Sequence, residues 1–223
     1  MQHFLLSSKP INSSEEIMNT ILILLFCGLV ASTCHASNMQ DFCVADLKGP
    51  DSPSGYHCLP SDTVTSQNFK HSFGEPLTVP FNAKLYAASV KKFPVLNGLG
   101  ISAFRGELER DGFVPVHTHE SNEILIMHQG QLDVGILTPE RAYVNTLKPG
   151  DLTVFPKGLQ HYLVNSGKEK AVAYIAYSSP NPRFNFVHQA LFANNVSTKT
   201  IAQTTFLDEP QVRKLKARFN GSG

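Results

Sequence analysis

Two stretches of the chain set its architecture: residues 112–130, GFVPVHTHESNEILIMHQG, and residues 150–165, GDLTVFPKGLQHYLVN. Both alternate short apolar runs with turn residues, a pattern typical of β-hairpins. His117 and His119 are two residues apart, so on a strand their side chains point to the same face. The second stretch adds His161, which follows a Pro-x-Gly turn.

Four side chains of these stretches form a candidate metal site: His117, His119, Glu123 and His161. Three imidazoles and one carboxylate suit a borderline divalent metal of the first transition row and leave room for water or substrate. The site contains no thiolate, which argues against a closed structural zinc centre.

Short apolar or alternating segments, separated by Gly, Pro and Asn, follow one another through the middle of the chain. This spacing favours an all-β sandwich or barrel over an alternating helix–strand fold. The predicted strands are Lys84–Val90, Leu99–Leu108, Glu123–His128, Gln131–Leu137, Ala142–Leu147, Leu152–Phe155, His161–Val164 and Val172–Ser178.

The C-terminal part has a different pattern. Residues 208–219 predict a helix, because acids and Pro210 stand at its start, bases stand toward its end and one apolar stripe runs along it. Residues 189–194 are predicted to form a short helical turn. The region after residue 36 shows no repeat or linker, so we expect a single domain over residues 37–223.

The N-terminal region is predicted to be a signal peptide over residues 1–36. Its apolar run, residues 21–30, is too short to span a bilayer, and Cys34-His35-Ala36 resembles a cleavage site. Met18 precedes the run directly and is an alternative start. The competing interpretation is a buried N-terminal strand or helix.

Removal of this peptide takes Cys27 and Cys34 with it and leaves Cys43 and Cys58. In a secreted protein, two cysteines that are fifteen residues apart predict one disulfide. Secretion would also expose the Asn195-Val-Ser197 sequon to glycosylation, with Asn220-Gly-Ser222 as a second candidate.

The charge balance excludes one class of partner. Lys and Arg number 19 against 18 Asp and Glu, a net charge of +1, so the chain has no strong basic field for a phosphate backbone. We therefore predict no binding to nucleic acid.

The two quoted stretches resemble the paired motifs of the cupin superfamily, G-x5-H-x-H-x3,4-E-x6-G and G-x5-P-x-G-x2-H-x3-N. The first motif matches from His117 to Gly130, and its leading glycine, Gly112, is one residue closer than usual. The second motif matches at every position, namely Gly150, Pro156, Gly158, His161 and Asn165.

The resemblance extends over nearly the whole predicted mature chain. Within the superfamily, the sequence is similar to plant germins and germin-like proteins in particular. Segments that look like landmarks of that family are Asp41-Phe-Cys-Val-Ala-Asp46, Gly55-Tyr-His-Cys58, Asn181-Pro182, Ala190-Leu-Phe192 and Leu215-Lys-Ala-Arg-Phe219.

This resemblance implies a cupin jelly-roll β-barrel with a short C-terminal helical extension and a Cys43–Cys58 disulfide. It implies a secreted glycoprotein of the apoplast and cell wall. It also implies one Mn2+ per subunit, held by His117, His119, Glu123 and His161, and a hexamer built as a trimer of dimers, in which the C-terminal helices help the subunits to clasp.

Two departures from the family pattern bear on the site. Only three residues separate His119 from Glu123, where germins usually have four, so Glu120 becomes a rival carboxylate ligand; the spacing to Gly130 favours Glu123. Two asparagines that are thought to position oxalate in oxalate-oxidising germins correspond, by ungapped counting, to Val114 and Phe104. We therefore expect oxalate oxidation to be weak or absent.

Three functional hypotheses follow from the resemblance. The first is a manganese-dependent superoxide dismutase, with a role in defence or development. The second is a non-enzymatic extracellular protein that binds a small molecule in the barrel. The third, oxalate oxidase, is disfavoured by Val114 and Phe104.

Overall fold

The computed structural model describes residues 18–23, 41–79 and 81–223. Residues 18–23 are helical. The rest of the predicted signal peptide lies outside the described residues, so that peptide and the domain bounds 37–223 stay predictions. Within the described ranges, no helix is long and apolar enough to cross a membrane.

The described part of the chain contains two antiparallel sheets. The strands are β1 (Leu77–Val79), β2 (Ala83–Ala88), β3 (Ser102–Leu108), β4 (Phe113–Thr118), β5 (Glu123–Gln129), β6 (Leu132–Leu137), β7 (Ala142–Leu147), β8 (Leu152–Phe155), β9 (Gln160–Asn165), β10 (Ala171–Tyr177) and β11 (Asn185–Phe186). One sheet has the order β1-β2-β3-β10-β5-β8, and the other has the order β11-β4-β9-β6-β7. The predicted jelly-roll architecture is confirmed.

Alternation along the strands builds the core between the sheets. In β5, Leu125 and Met127 are buried, whereas Ile124 and Ile126 are exposed on the opposite face, as the two-residue period of a strand requires. The other sheet contributes buried residues such as Leu132 to the same cluster. Both sheets therefore share one hydrophobic core.

The turn between β5 and β6 depends on Gly130. Its φ of 79° is in the left-handed region, and a Cβ atom there would lie 2.6 Å from the carbonyl oxygen of Lys170. A larger residue would therefore meet both backbone strain and a steric clash. This is the physical reason for glycine at the end of the first quoted stretch.

Three helices follow the strands: α1 (Val187–Phe192), α2 (Thr198–Thr205) and α3 (Glu209–Phe219). They share a second, smaller hydrophobic cluster that contains Phe192, Ile201 and Val212. The predicted helix over residues 208–219 is α3, and Asp208 is its N-cap, accepting a hydrogen bond from Gln211 N at 2.7 Å.

The N-terminal loop is tied to the rest of the unit Phe42–Gly223. Cys43 and Cys58 are joined by a disulfide. Buried Asn97 holds the same loop, because its amide nitrogen donates to Tyr56 O at 2.8 Å and its amide oxygen accepts from Tyr56 N at 3.1 Å. The loop is thus fixed by one covalent bond and by hydrogen bonds.

Candidate metal centre

The four predicted ligand residues meet between the two sheets. His117 stands near the end of β4 and pairs directly with His161 on β9. His119 follows β4, and Glu123 begins β5 in the opposite sheet. All four are buried, with 1–2% exposure. Their potential ligand atoms lie within 4.8 Å of one another, close enough for the group to hold a metal ion.

Backbone carbonyls fix the orientation of each imidazole. His117 Nδ1 lies 2.7 Å from Pro115 O, His119 Nδ1 lies 2.7 Å from Arg183 O, and His161 Nδ1 lies 2.9 Å from Leu159 O. A carbonyl oxygen can only accept a hydrogen bond, so each Nδ1 carries the proton. Each Nε2 of a neutral ring therefore has a free lone pair, the state in which histidine binds a metal.

Two of the three Nε2 atoms face the Glu123 carboxylate, and the third lies beside His119. Glu123 Oε2 lies 3.1 Å from His119 Nε2 and 3.4 Å from His161 Nε2. His117 Nε2 lies 3.1 Å from His119 Nε2. With Nδ1 protonated in every neutral ring, these close pairs bring lone pairs together, which is favourable only if protons or a cation lie between them.

The chemistry of this donor set fits a metal ion. Glu123 Oε2 and His161 Nε2 are buried and have no hydrogen-bond partner among the described residues. Unpartnered buried polar atoms are costly, and a bound cation would satisfy both. The residues present therefore fit a divalent metal, and each of His117, His119, Glu123 and His161 would supply one ligand atom.

Burial and mutual repulsion shift the protonation of the group. Desolvation, helped by the nearby His161 and His119, lowers the pKa of His117 from 6.5 to about 3. Burial alone would raise the pKa of Glu123, but favourable interactions of its carboxylate with His119 and His161 outweigh burial and lower that pKa to about 2. His117 thus stays neutral and Glu123 stays charged through the ordinary pH range, as ligation requires.

Glu120, the alternative carboxylate ligand, lies outside the group of converging side chains. Glu120 is exposed in the turn between β4 and β5, and it is absent from the group of converging ligand atoms. Glu123 is 2% exposed and belongs to that group. The geometry therefore favours Glu123 over Glu120.

Aromatic rings enclose the histidines. Phe155 stacks on His161 with ring centroids 4.4 Å apart. Phe184 stacks on His117 at 5.6 Å and meets His119 edge-on at 4.5 Å. Tyr177 lies opposite Glu123 on β10, and burial together with the Glu123 charge raises the pKa of its phenol well above the usual value.

A small cavity borders the group inside the barrel. Its volume is about 20 Å³, and its walls are aliphatic or aromatic apart from His117, Glu123 and Tyr177. Val114 lines it, and Phe104 is buried against Tyr177 and Phe184. The two positions counted from the germin pattern therefore present apolar side chains near the group, where a dianion would need donors.

Sequence motifs place the four ligands but not the shell around them. Phe184 and Tyr177 come from a segment that follows both motifs, and the carbonyl groups that orient the rings have no residue signature.

Asn195, the predicted glycosylation site, is exposed in the loop between α1 and α2.

Comparison with known proteins gives consistent results. The cupin family model matches residues 74–213. Auxin-binding protein ABP19b of Prunus persica is 45% identical over 199 residues, which cover 87% of this chain and 95% of that protein. Germin-like protein subfamily 3 member 1 of Arabidopsis thaliana is 40% identical over 212 residues, covering 93% of this chain and 100% of the relative.

Among solved structures, recombinant oxalate oxidase in complex with glycolate is similar with a TM-score of 0.76. The two proteins are 30% identical, and the match covers 81% of this chain and 96% of the oxalate oxidase chain.

Proposed function

The chain belongs to the cupin family and, within it, to the germin-like proteins, and from this membership we propose that it is a secreted manganese protein of the plant apoplast that dismutates superoxide. The observation that carries the proposal is the convergence of three backbone-oriented imidazole nitrogens and one buried carboxylate on a common point. Such a set holds a redox-capable divalent ion and leaves coordination positions open.

We assign one Mn2+ to each subunit, with His117, His119, Glu123 and His161 as ligands. When bound, manganese supplies one-electron chemistry between its divalent and trivalent states: one superoxide is oxidised to O2, and a second, with two protons, is reduced to hydrogen peroxide. The carboxylate in the set is a ligand type that suits manganese.

The residues around the group have separate tasks in this proposal. The carbonyls of Pro115, Arg183 and Leu159 hold the imidazole rings in one tautomer, and Phe155 and Phe184 exclude bulk water. Tyr177 keeps its phenolic proton, because its pKa is raised by burial. A neutral hydrogen-bond donor therefore lines the cavity beside the charged Glu123.

A pair of glutamate variants tests the ligand assignment. We expect the secreted wild-type protein to retain close to one manganese per subunit and to remove superoxide. Glu123→Gln should lose most of the bound manganese and the activity, because a charged ligand becomes a neutral amide. Glu120→Gln makes the same chemical change on an exposed residue and should leave both unchanged.

Elemental analysis and a superoxide assay on each protein are the measurements. Loss of manganese in Glu120→Gln but not in Glu123→Gln would reverse the assignment. A wild-type protein that retains manganese and fails to remove superoxide would contradict the activity, and hydrogen peroxide formed from oxalate would revive oxalate oxidase.

The alternative is a non-enzymatic extracellular protein that binds a small molecule. Relatives named auxin-binding proteins from Prunus persica, 45% and 43% identical to this chain, favour it. The cavity of about 20 Å³ beside the candidate metal centre argues only against binding of such a molecule inside the barrel, because pockets for small organic ligands are usually several hundred Å³. Calorimetric titration of the manganese-loaded protein with an auxin distinguishes the two, since saturable binding without superoxide removal supports the alternative.

We also propose that the protein is a homo-oligomer, a hexamer built as a trimer of dimers. Its support is an apolar patch on the outer face of β5, β8 and β10, where side chains in neighbouring register positions are 42–61% exposed, namely Ile124, Ile126, Leu152, Val154 and Tyr174. Contiguous exposed apolar surface of this kind marks an interaction site.

Light scattering after gel filtration tests the oligomer. An Ile126→Asp variant should elute as a smaller species than the wild type, because a charge in the apolar patch opposes its burial. Leu47→Asp introduces the same charge at a similarly exposed leucine in the N-terminal loop and should keep the wild-type size. Equal masses for the wild type and Ile126→Asp would contradict the role of this patch.

Secretion and glycosylation complete the proposal. We expect the mature N-terminus to follow Ala36 and Asn195 to carry a glycan. Mass spectrometry of the protein from the extracellular fluid, with Asn195→Gln and Asn220→Gln as variants, measures both. Detection of an intact residue 1–36 segment in that protein would contradict the cleavage.

A further inference from the structure

We propose that the Phe184 ring sets the size limit for ligands at the candidate metal centre, admitting species of two or three atoms and excluding carboxylates as large as glycolate or oxalate. This inference rests on the proposed metal-binding function and names the substrate class of the same site. It concerns a residue outside both sequence motifs.

Phe184 packs against two histidines of the candidate site and lines the small cavity beside them. Its ring stacks on His117 and meets His119 edge-on. It also lies 6.1 Å from the Phe104 ring and 5.9 Å from the Phe186 ring. Together with His117 and Glu123 it lines the cavity of about 20 Å³.

The cavity volume limits what can fit. One water molecule requires on the order of 10–15 Å³ measured in this way, so about 20 Å³ accommodates a ligand only slightly larger than water. A dicarboxylate has six heavy atoms and would need the walls to move. Superoxide, with two atoms, needs no such movement.

Hydrogen bonds to main-chain carbonyls fix the segment between β10 and β11, which carries Phe184. Val90 N donates to Pro180 O at 2.8 Å, and Ser102 Oγ donates to Ser179 O at 2.7 Å. The carbonyl of Arg183 accepts the hydrogen bond from His119 Nδ1 at 2.7 Å. Displacing Phe184 would therefore disturb the carbonyl that orients a ligand histidine.

Removal of the Phe184 ring should allow larger anions to bind while all four metal-binding residues stay in place. Truncating a buried aromatic or aliphatic side chain leaves a cavity on the order of 100 Å³ that can take up benzene-sized molecules. We expect Phe184→Ala to bind glycolate at least about tenfold more tightly than the wild type, while azide affinity changes by less than about threefold. Phe184→Leu should give an intermediate gain.

The experiment titrates the manganese-loaded full-length protein with azide, glycolate and oxalate. Calorimetry gives the affinities, and the electron paramagnetic resonance spectrum of Mn2+ reports whether each anion reaches the metal. Phe192→Ala is the control, because it makes the same change at a phenylalanine that is buried in the helical cluster and does not line the cavity. It should reproduce the wild-type preference for azide.

The outcomes separate this inference from the proposed function. Wild-type protein that binds glycolate as tightly as Phe184→Ala does would overturn the size limit, as would a Phe184→Ala protein that retains manganese and still rejects glycolate. Size selection that persists in a protein unable to remove superoxide would leave the inference standing and the dismutase proposal wrong. A chain that takes up no manganese would overturn both.

Discussion

Two histidines of the candidate centre each have a hydrogen-bond acceptor beside both ring nitrogens. A neutral ring carries only one N–H proton, so it cannot donate to both acceptors. His119 Nδ1 donates to Arg183 O, and its Nε2 faces Glu123 Oε2 at 3.1 Å. His161 repeats the arrangement, with Leu159 O on one side and Glu123 Oε2 on the other. A cation at the centre resolves both, so these residues should be most strained in the metal-free protein.

The metal-free protein should therefore lose stability in acid. The pKa of His117 is about 3 in the folded state against 6.5 ordinarily, so from pH 6.5 down to 3 only the unfolded chain binds this proton. Glu123, with a pKa of about 2 against 4.5, acts in the same direction between pH 4.5 and 2. Both shifts make the free energy of unfolding fall as pH falls.

Chemical denaturation of the metal-free protein at several pH values between 7 and 4 measures this fall. A His117→Phe variant removes the titrating ring and should flatten the dependence above pH 4.5, where Glu123 contributes little. An unfolding free energy that is constant from pH 7 to pH 4 in the wild type would contradict the burial of a neutral His117.

Strand β5 shows how one element serves the core, the site and the surface. Glu123 begins it, Leu125 is completely buried and Ile126 is 46% exposed. Leu125→Ala should lower the free energy of unfolding by about 2–5 kcal/mol, because it removes buried methyl groups and leaves a cavity. Ile126→Ala, one residue away, should cost less than about 1 kcal/mol in the dissociated subunit.

Urea denaturation of both variants, under conditions where the subunits are dissociated, makes the comparison. Similar losses for Leu125→Ala and Ile126→Ala would mean that both faces of β5 are covered within a single subunit.

Strands bounded by Pro- and Gly-containing turns were predictable from the sequence, and irregular ones were not. The bounds predicted for residues 142–147 and 152–155 are those of β7 and β8. β4 is not among the predicted strands, although the spacing of His117 and His119 was interpreted as that of strand residues. In the structure Pro115 provides no ladder donor, and the register shifts between Val114 and His117. That irregularity leaves the Pro115 carbonyl free to accept from His117 Nδ1.

Helix α2 was missed for a different reason. Its sequence, TKTIAQTT, contains four threonines, which are poor helix formers. The helix depends on Ser197, whose side chain accepts from Thr200 N, and on the burial of Ile201 in the helical cluster. The predicted turn over residues 189–194 corresponds to α1, which begins two residues earlier, at Val187.

The whole unit Phe42–Gly223 combines a barrel, a helical cluster and a cross-linked N-terminal loop. Motif spacing predicted the barrel and its four inward-facing ligands, because both follow from local alternation and turns. Counting from the germin pattern placed Val114 and Phe104 near the site, but Tyr177 and Phe184 were not predictable in this way, because they come from a segment that follows both motifs and reach the cavity only in the folded chain.

Loss of the disulfide should weaken the whole unit. Cys43 and Cys58 are separated by 15 residues, and a loop of this length contributes about 3 kcal/mol by restricting the unfolded chain. We expect the Cys43→Ser/Cys58→Ser variant to unfold at lower denaturant concentration and to be cleaved by protease within residues 43–58. Denaturation and limited proteolysis are the measurements, and resistance equal to the wild type would show that the Asn97 hydrogen bonds suffice.

The carbonyl groups behind the three imidazoles have an evolutionary consequence. Pro115, Leu159 and Arg183 hold the rings through main-chain oxygens, which every amino acid possesses. Side chains that line the cavity, Phe184 among them, can therefore be replaced without changing the orientation of the imidazoles, provided that the path of the main chain is kept. A scaffold of this kind can acquire new ligands by mutation while the orientation of its metal-binding residues stays the same.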